Sequence, residues 1–167
     1  MTVGMVGLGE MGSGFVERLL LAKIDVIGWN RTKSKAEPLI AKGMKWGDSP
    51  RAVTAASDVV LTMVTNDHAL TAVADGPDGI LGAIKGKTLV EMSTVGTVHV
   101  QALAAKTKAA GGELLDAPVL GSQVSIQQGK LLSWSAATKP RSSACVRRSK
   151  RSVRRSSTSA TSVRRKR

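Results

Sequence analysis

Cysteine is almost absent from this chain: Cys145 stands alone among 167 residues. A single thiol cannot close a disulfide within the chain or anchor a cysteine-based metal site. The two histidines, His68 and His99, show no ligand-like spacing with Cys, Asp or Glu, so no metal site is expected. Long apolar runs are also missing, and those present are strand-sized, far short of a membrane span. The opening residues, MTVGMVGLG, have no basic stretch leading into an extended apolar one, and they read as a strand and turn rather than a signal peptide. A protein of the cytoplasm with no membrane partner is the expectation. No internal repeat is present.

Acidic residues are missing from one region only. Residues 133–167 carry 12 Lys and Arg with no Asp or Glu, whereas residues 1–132 carry 13 against 12. The formal charge of +13 therefore belongs almost entirely to the last 35 residues. That segment also lacks Leu, Ile, Met and Phe and holds ten serines. It cannot bury enough apolar surface to offset its ordering entropy, so it is expected to be disordered. Two regions follow: a folded one over 1–132 and a basic Ser/Arg-rich tail over 133–167.

The folded region alternates strand-like and helix-like segments. Thr2–Val6, Asp25–Trp29, Lys45–Trp46, Asp58–Val64, Thr88–Met92 and Glu113–Asp116 read as strands. Glu10–Ala22, Lys33–Lys42, a segment opening at Ser49-Pro50, and Val98–Ala110 read as helices. The run Asp58–Val64 is nearly all apolar, as in a strand buried on both faces. This order predicts an α/β fold: a Rossmann-type, doubly wound parallel sheet, incomplete and open where later strands would add. Such an open edge is expected to expose apolar surface.

Gly7-Leu8-Gly9-Glu10-Met11-Gly12 has the form GxGxxG between the first strand and the first helix. In that context it is a phosphate-cradling turn. Gly7 permits the tight turn, Gly9 lets backbone approach a pyrophosphate, and Gly12 lets the helix pack closely. The helix N-terminus offers free N–H groups to the phosphates. The end of the second strand then discriminates between cofactors. A carboxylate there would bind both ribose hydroxyls of NAD; this chain has Asn30-Arg31-Thr32, followed by Lys33 and Lys35. Arg31 can stack on adenine and bond a 2′-phosphate, Thr32 can donate a hydroxyl, and Lys35 adds charge. NADP is expected in preference to NAD. The competing reading of these bases is a solvated helix start.

With those residues in place, the chain resembles the β-hydroxyacid dehydrogenases, a family that includes 3-hydroxyisobutyrate dehydrogenase, tartronate semialdehyde reductase and the glyoxylate/succinic semialdehyde reductases. Gly7–Gly12 is similar to that family's GLGxMG, and Asn30-Arg31-Thr32 to its NADP-type branch. Glu91-Met92-Ser93-Thr94 resembles its Asp-x-Ser-Thr segment with Glu for Asp. Asp116 to Ser122, followed by Gly129-Lys130-Leu131, resembles its substrate-binding segment, with Leu120 in place of a common serine. The resemblance implies that Met63, Val64 and Thr65 line the adenine-ribose side through backbone contacts. It places Ser93 and Thr94 near the nicotinamide, Ser93 on the substrate side. It gives Gly121 and Ser122 to a substrate carboxylate. The implied reaction is reversible hydride transfer between NADP(H) and a short 3-hydroxy acid or semialdehyde.

The family's general acid/base is a lysine in a Gly-x-x-Gly-x-Gly-x-x-x-Lys segment, and no such segment occurs in these 167 residues. No catalytic residue is therefore assigned, and a homo-oligomer is expected only of a complete enzyme. The pattern breaks after Leu132. When Ser133–Arg147 is back-translated with GC-rich codons and read two bases later, it yields VVGGDEAAFERVRP, the strand, Gly-Gly-Asp turn and helix start the family would have. A frame change is the favoured explanation. Two competing classes are a polyanion-binding basic tail and a catalytically inactive NADP-binding fragment. The tail has no aromatic interleaving beyond Trp134, so nucleic acid is not the expected partner.

Overall fold

A computed structural model of the chain describes residues 1–130 and the backbone of 132–133. The basic tail expected to be disordered lies, beyond Ser133, outside the described residues. Six strands form one parallel sheet: β1 (Thr2–Val6), β2 (Asp25–Trp29), β3 (Lys45–Trp46), β4 (Val59–Thr62), β5 (Thr88–Glu91) and β6 (Glu113–Asp116). Their spatial order is β3-β2-β1-β4-β5-β6. The order reverses between β1 and β4, and a crevice opens there beyond the carboxyl ends of the strands. Among the described residues β6 is an edge of this sheet, opposite β3, as the open-edge expectation has it. A small antiparallel pair, β7 (Val119–Leu120) and β8 (Leu132–Ser133), follows.

Helices cover both faces. α1 (Glu10–Leu21) and α2 (Glu37–Ile40) accompany the first strands, followed by α3 (Pro50–Ala55), α4 (Asp67–Ala74), α5 (Thr97–Ala109) and α6 (Gln123–Gln127). β1 is buried along nearly its whole length, as a central parallel strand must be when both faces are covered. Its alternate side chains feed two cores. Met5 joins Leu8, Val16, Val26, Leu39 and Met44 on one side. Val6 joins Val53, Val60, Leu70, Ile80, Ile84, Leu89 and Leu103 on the other.

Local chemistry sets the boundaries. Ser49 caps α3 by accepting from the Ala52 N–H at 3.0 Å, and Pro50 takes the first helical position. Lys87, at the start of β5, donates to the carbonyls of Thr54, Ala55 and Ser57 at 2.6, 2.8 and 2.7 Å. The cation thus closes the negative end of α3. Lys33–Lys42 is not the single short helix expected. A 3-10 turn over Lys33–Ala36 gives way to the four-residue α2. Pro38 lacks the N–H that a continuous helix would need at that point. Two helices go beyond the expected set, α4 and α6. α6 packs against α1 through buried Ile126.

Candidate functional site

The glycine turn joins β1 to α1 above the crevice. Gly7 has φ of +98°, and a Cβ there would lie 2.2 Å from the Met63 carbonyl oxygen. A Cβ at Gly12 would lie 2.0 Å from the Gly7 oxygen. Both glycines are demanded by the protein's own backbone. Gly9 differs: a Cβ there would meet nothing within 4 Å. It is the N-cap of α1 and offers no side-chain cap to the first-turn N–H groups. The protein therefore leaves an open, donor-rich approach at the positive end of a twelve-residue helix. That is a cradle a pyrophosphate fits.

A groove of about 230 Å³ extends from this turn. Gly7, Gly9, Asn30, Arg31, Thr32, Lys35, Met63, Val64 and Thr65 line it together with Trp29, Ala69, Ala72 and Val73. Residues expected from three separate segments of sequence are thus brought to one place. Arg31, Thr32 and Lys35 are exposed, and no carboxylate is among the lining residues. The groove wall from α4, formed by Ala69, Ala72 and Val73, was not foreseen. Its signal lay in Asn66, which caps α4 by accepting from the Ala69 N–H at 2.9 Å, and in the spacing of Leu70, Val73 and Ala74.

Other expected residues lie elsewhere or act differently. Leu8 is buried in the core with Met5 and Val16. Its N–H donates to Asn30 Oδ1 at 3.0 Å, and Asn30 Nδ2 donates to the Thr32 carbonyl at 3.0 Å. Asn30 therefore ties the glycine turn to the end of β2. Glu10, Met11 and Gly12 belong to α1 and do not line the groove. Thr94 is exposed beyond β5, while Ser93 is 2% exposed. The Ser93 hydroxyl accepts from the Val64 N–H at 2.9 Å. Val64 thus has its carbonyl and side chain, not its N–H, to offer the groove. Gly121 and Ser122 are exposed, and Ser122 caps α6 against Ser125.

Glu91 is fully buried at the end of β5. It accepts from the Ser93 N–H at 2.7 Å and bonds the Thr62 hydroxyl. Burial pushes its carboxyl above the ordinary value of 4.5; hydrogen bonds from Ser93 and Thr62 oppose the rise, and the Asp116 charge adds to it. The folded chain therefore holds this proton more tightly than the unfolded chain does. Stability from this group is fully present below about pH 4.5 and is lost as pH rises through the raised folded value. Glu91→Gln keeps the shape without the ionisation. Its melting temperature is expected to gain on that of the unaltered chain as pH is raised from the acid side. A difference independent of pH would show that Glu91 carries the same proton affinity folded and unfolded.

The parallel sheet, its order reversal, the glycine turn and the groove beside it define a dinucleotide-binding Rossmann domain. A family described as the NAD binding domain of 6-phosphogluconate dehydrogenase matches residues 2–147. The chain belongs to that family, whose members of this type are dehydrogenases and reductases. Glyoxylate/succinic semialdehyde reductase 2 of Arabidopsis thaliana, described as chloroplastic, is 38% identical over 140 residues, which are 83% of this chain and 39% of that protein. The human cytokine-like nuclear factor N-PAC is 38% identical over 131 residues, covering 78% of this chain and 24% of that protein. Psf3 in complex with NADP+ and 2-OPP superposes with a TM-score of 0.77 at 29% identity, over 81% of this chain and 48% of that one. The 3-hydroxyisobutyrate dehydrogenase of Salmonella typhimurium gives 0.73 at 28%, over 81% and 47%. The chain thus spans between about a quarter and just under half the length of these relatives. Among the described residues no helix is long and apolar enough to cross a membrane.

Proposed function

We propose that the groove binds NADP(H) in preference to NAD(H), and that residues 1–132 are the cofactor half of a reductase acting on a short 3-hydroxy acid or its semialdehyde. One observation carries the cofactor preference. Arg31, Thr32 and Lys35 converge on the groove beside the glycine turn, with no carboxylate among them. A 2′-phosphate would meet a guanidinium fork, a hydroxyl and an ammonium, and no charge would repel it. The pyrophosphate would rest on the N-terminus of α1 at Gly9, Glu10 and Met11. The groove wall of Ala69, Ala72 and Val73 suits the flat apolar face of adenine. When bound, NADP(H) supplies or accepts the hydride.

The substrate class rests on similarity to the Arabidopsis semialdehyde reductase and the Salmonella 3-hydroxyisobutyrate dehydrogenase. On this reading Ser93 and Thr94 stand at the nicotinamide end, and Gly121 and Ser122 face the substrate carboxylate. The composition break after Leu132 is read as a frame change. Resequencing the coding DNA across Leu131–Arg148 tests that separately from function. A second frame continuing into a lysine-bearing helix supports it, and a closed frame removes it.

Fluorescence titration of the chain with NADPH and NADH tests the cofactor reading. NADPH is expected to bind at least about tenfold tighter, with no turnover of NADP+ and 3-hydroxy acids because the family lysine segment is absent. Equal affinities would sink the NADP preference. Turnover would place the proton-transfer group somewhere in these 167 residues.

A further inference from the structure

The carboxyl ends of β4 and β5 are joined by more than their ladder. The Met92 N–H donates to the Thr62 carbonyl at 3.0 Å. Beyond that bond lies a closed ring of side-chain contacts. The Val64 N–H donates to Ser93 Oγ, the Ser93 backbone N–H donates to Glu91 Oε1, and the other Glu91 oxygen bonds the Thr62 hydroxyl. Two residues of backbone then lead from Thr62 back to Val64. Glu91 is wholly buried at the centre of this ring. An apolar side chain would fill the space without the cost of desolvating a carboxyl. What the carboxyl adds is direction, because each of its oxygens fixes a group on a different strand end.

We infer that Glu91 is a positioning residue that, through Ser93, sets the Met63–Thr65 wall of the dinucleotide groove. This rests on the reading of the groove as a dinucleotide site. Glu91 is not itself a groove-lining residue, whereas Met63, Val64 and Thr65 all are. Ser93 occupies the Val64 N–H and so fixes the peptide that carries Val64 into the groove. The same serine begins the segment leading to Thr94. One carboxyl thereby couples the wall after β4 to the segment after β5, at the carboxyl ends of two neighbouring strands. The titratable group facing it from the adjoining strand is Asp116, its register partner on β6. From β4 the facing side chain is the uncharged Thr62.

The test compares Glu91→Ala, Ser93→Ala, the double variant and Glu91→Gln. NADPH affinity is read by fluorescence, at a temperature where circular dichroism shows each protein folded. Each alanine variant is expected to lose about tenfold in affinity, and the double variant no more than either single, because both break one path. Glutamine can accept from the Ser93 N–H and donate to the Thr62 hydroxyl, so Glu91→Gln restores affinity. Hydrogen exchange at the Val64 amide supplies a second, ligand-free readout: it quickens in Ser93→Ala and Glu91→Ala and stays slow in Glu91→Gln. Should Glu91→Ala not fold, Ser93→Ala and Glu91→Gln carry the comparison. Wild-type affinity and unchanged Val64 exchange in folded alanine variants overturn the role of Glu91, as do losses that multiply in the double variant. An unaltered chain that does not bind NADPH removes the dinucleotide reading instead, and the Val64 exchange then still reports on the ring itself.

Discussion

Arg31→Asp is expected to invert the cofactor preference, with NADPH affinity falling by roughly 100-fold and NADH affinity holding or rising. The magnitude follows from what is exchanged. Hydrogen bonds to a charged group contribute about 1.5–3 kcal/mol each, and the substitution also places a carboxylate where a 2′-phosphate would sit. A net loss of about 3 kcal/mol corresponds to roughly 100-fold in affinity. For NADH the same carboxylate can accept from both ribose hydroxyls, the arrangement that selects NAD in dinucleotide-binding folds. Arg31 is exposed and follows the end of β2 by two residues. Its replacement should therefore leave the melting temperature nearly unchanged. The NADPH to NADH affinity ratio, measured at fixed ionic strength, decides the matter. The ratio should also shrink as salt is raised in the unaltered chain, because exposed charges are screened. An unchanged ratio in Arg31→Asp would mean that the basic residues form only a solvated edge.

Much of this domain is legible from sequence because its parallel sheet imposes simple patterns. β1 and β2 coincide with their expected bounds, and β4 and β5 lie inside theirs. Strands buried on both faces have little room for polar interruption. The groove was legible for a different reason. A glycine turn and the end of the next strand are local features, and the fold joins them in a fixed way. What stayed hidden depends on partners far away in the chain. The five-residue helix α6 carries two glutamines and a serine, and its place is set by α1, more than a hundred residues earlier. Glu91 reads in sequence as a minor variation of a cofactor-side segment. Its burial appears only when Thr62, 29 residues away, and Ser93 meet it in space. Asn30 reads as a ligand to the cofactor, yet its side chain holds Leu8 of the glycine turn in place. For Glu91 and Asn30 a polar residue was recognised but its partner could not be, because hydrogen-bond partners across a sheet leave no periodic trace.

Two alanine substitutions in the glycine turn should separate what the fold requires from what a ligand requires. Gly12→Ala puts a methyl 2.0 Å from a backbone oxygen and 3.1 Å from Met5 Cε. The methionine tip can move, but the Gly7 carbonyl sits in a turn already committed to φ of +98°. Overpacking of this kind costs about 1–3 kcal/mol, and a backbone neighbour places it at the upper end. A drop in melting temperature of roughly ten degrees or more, or failure to fold, is expected for a domain this size. Gly9→Ala has no such obstacle. Its φ is −70°, open to any residue, and nothing stands within 4 Å of the new methyl. Exchanging glycine for alanine at an N-cap costs under about 1 kcal/mol. The fold should therefore persist, yet the methyl would occupy the space through which a pyrophosphate reaches the α1 N–H groups. NADPH affinity is expected to fall by at least about 100-fold, as when a bound charge loses its direct hydrogen bonds. Thermal melting and NADPH titration of both variants provide the check. A folded Gly9→Ala that binds NADPH as the unaltered chain does would mean that no ligand uses the open side of the turn. Gly9 would then be left with no explanation in either the protein's packing or its ligand.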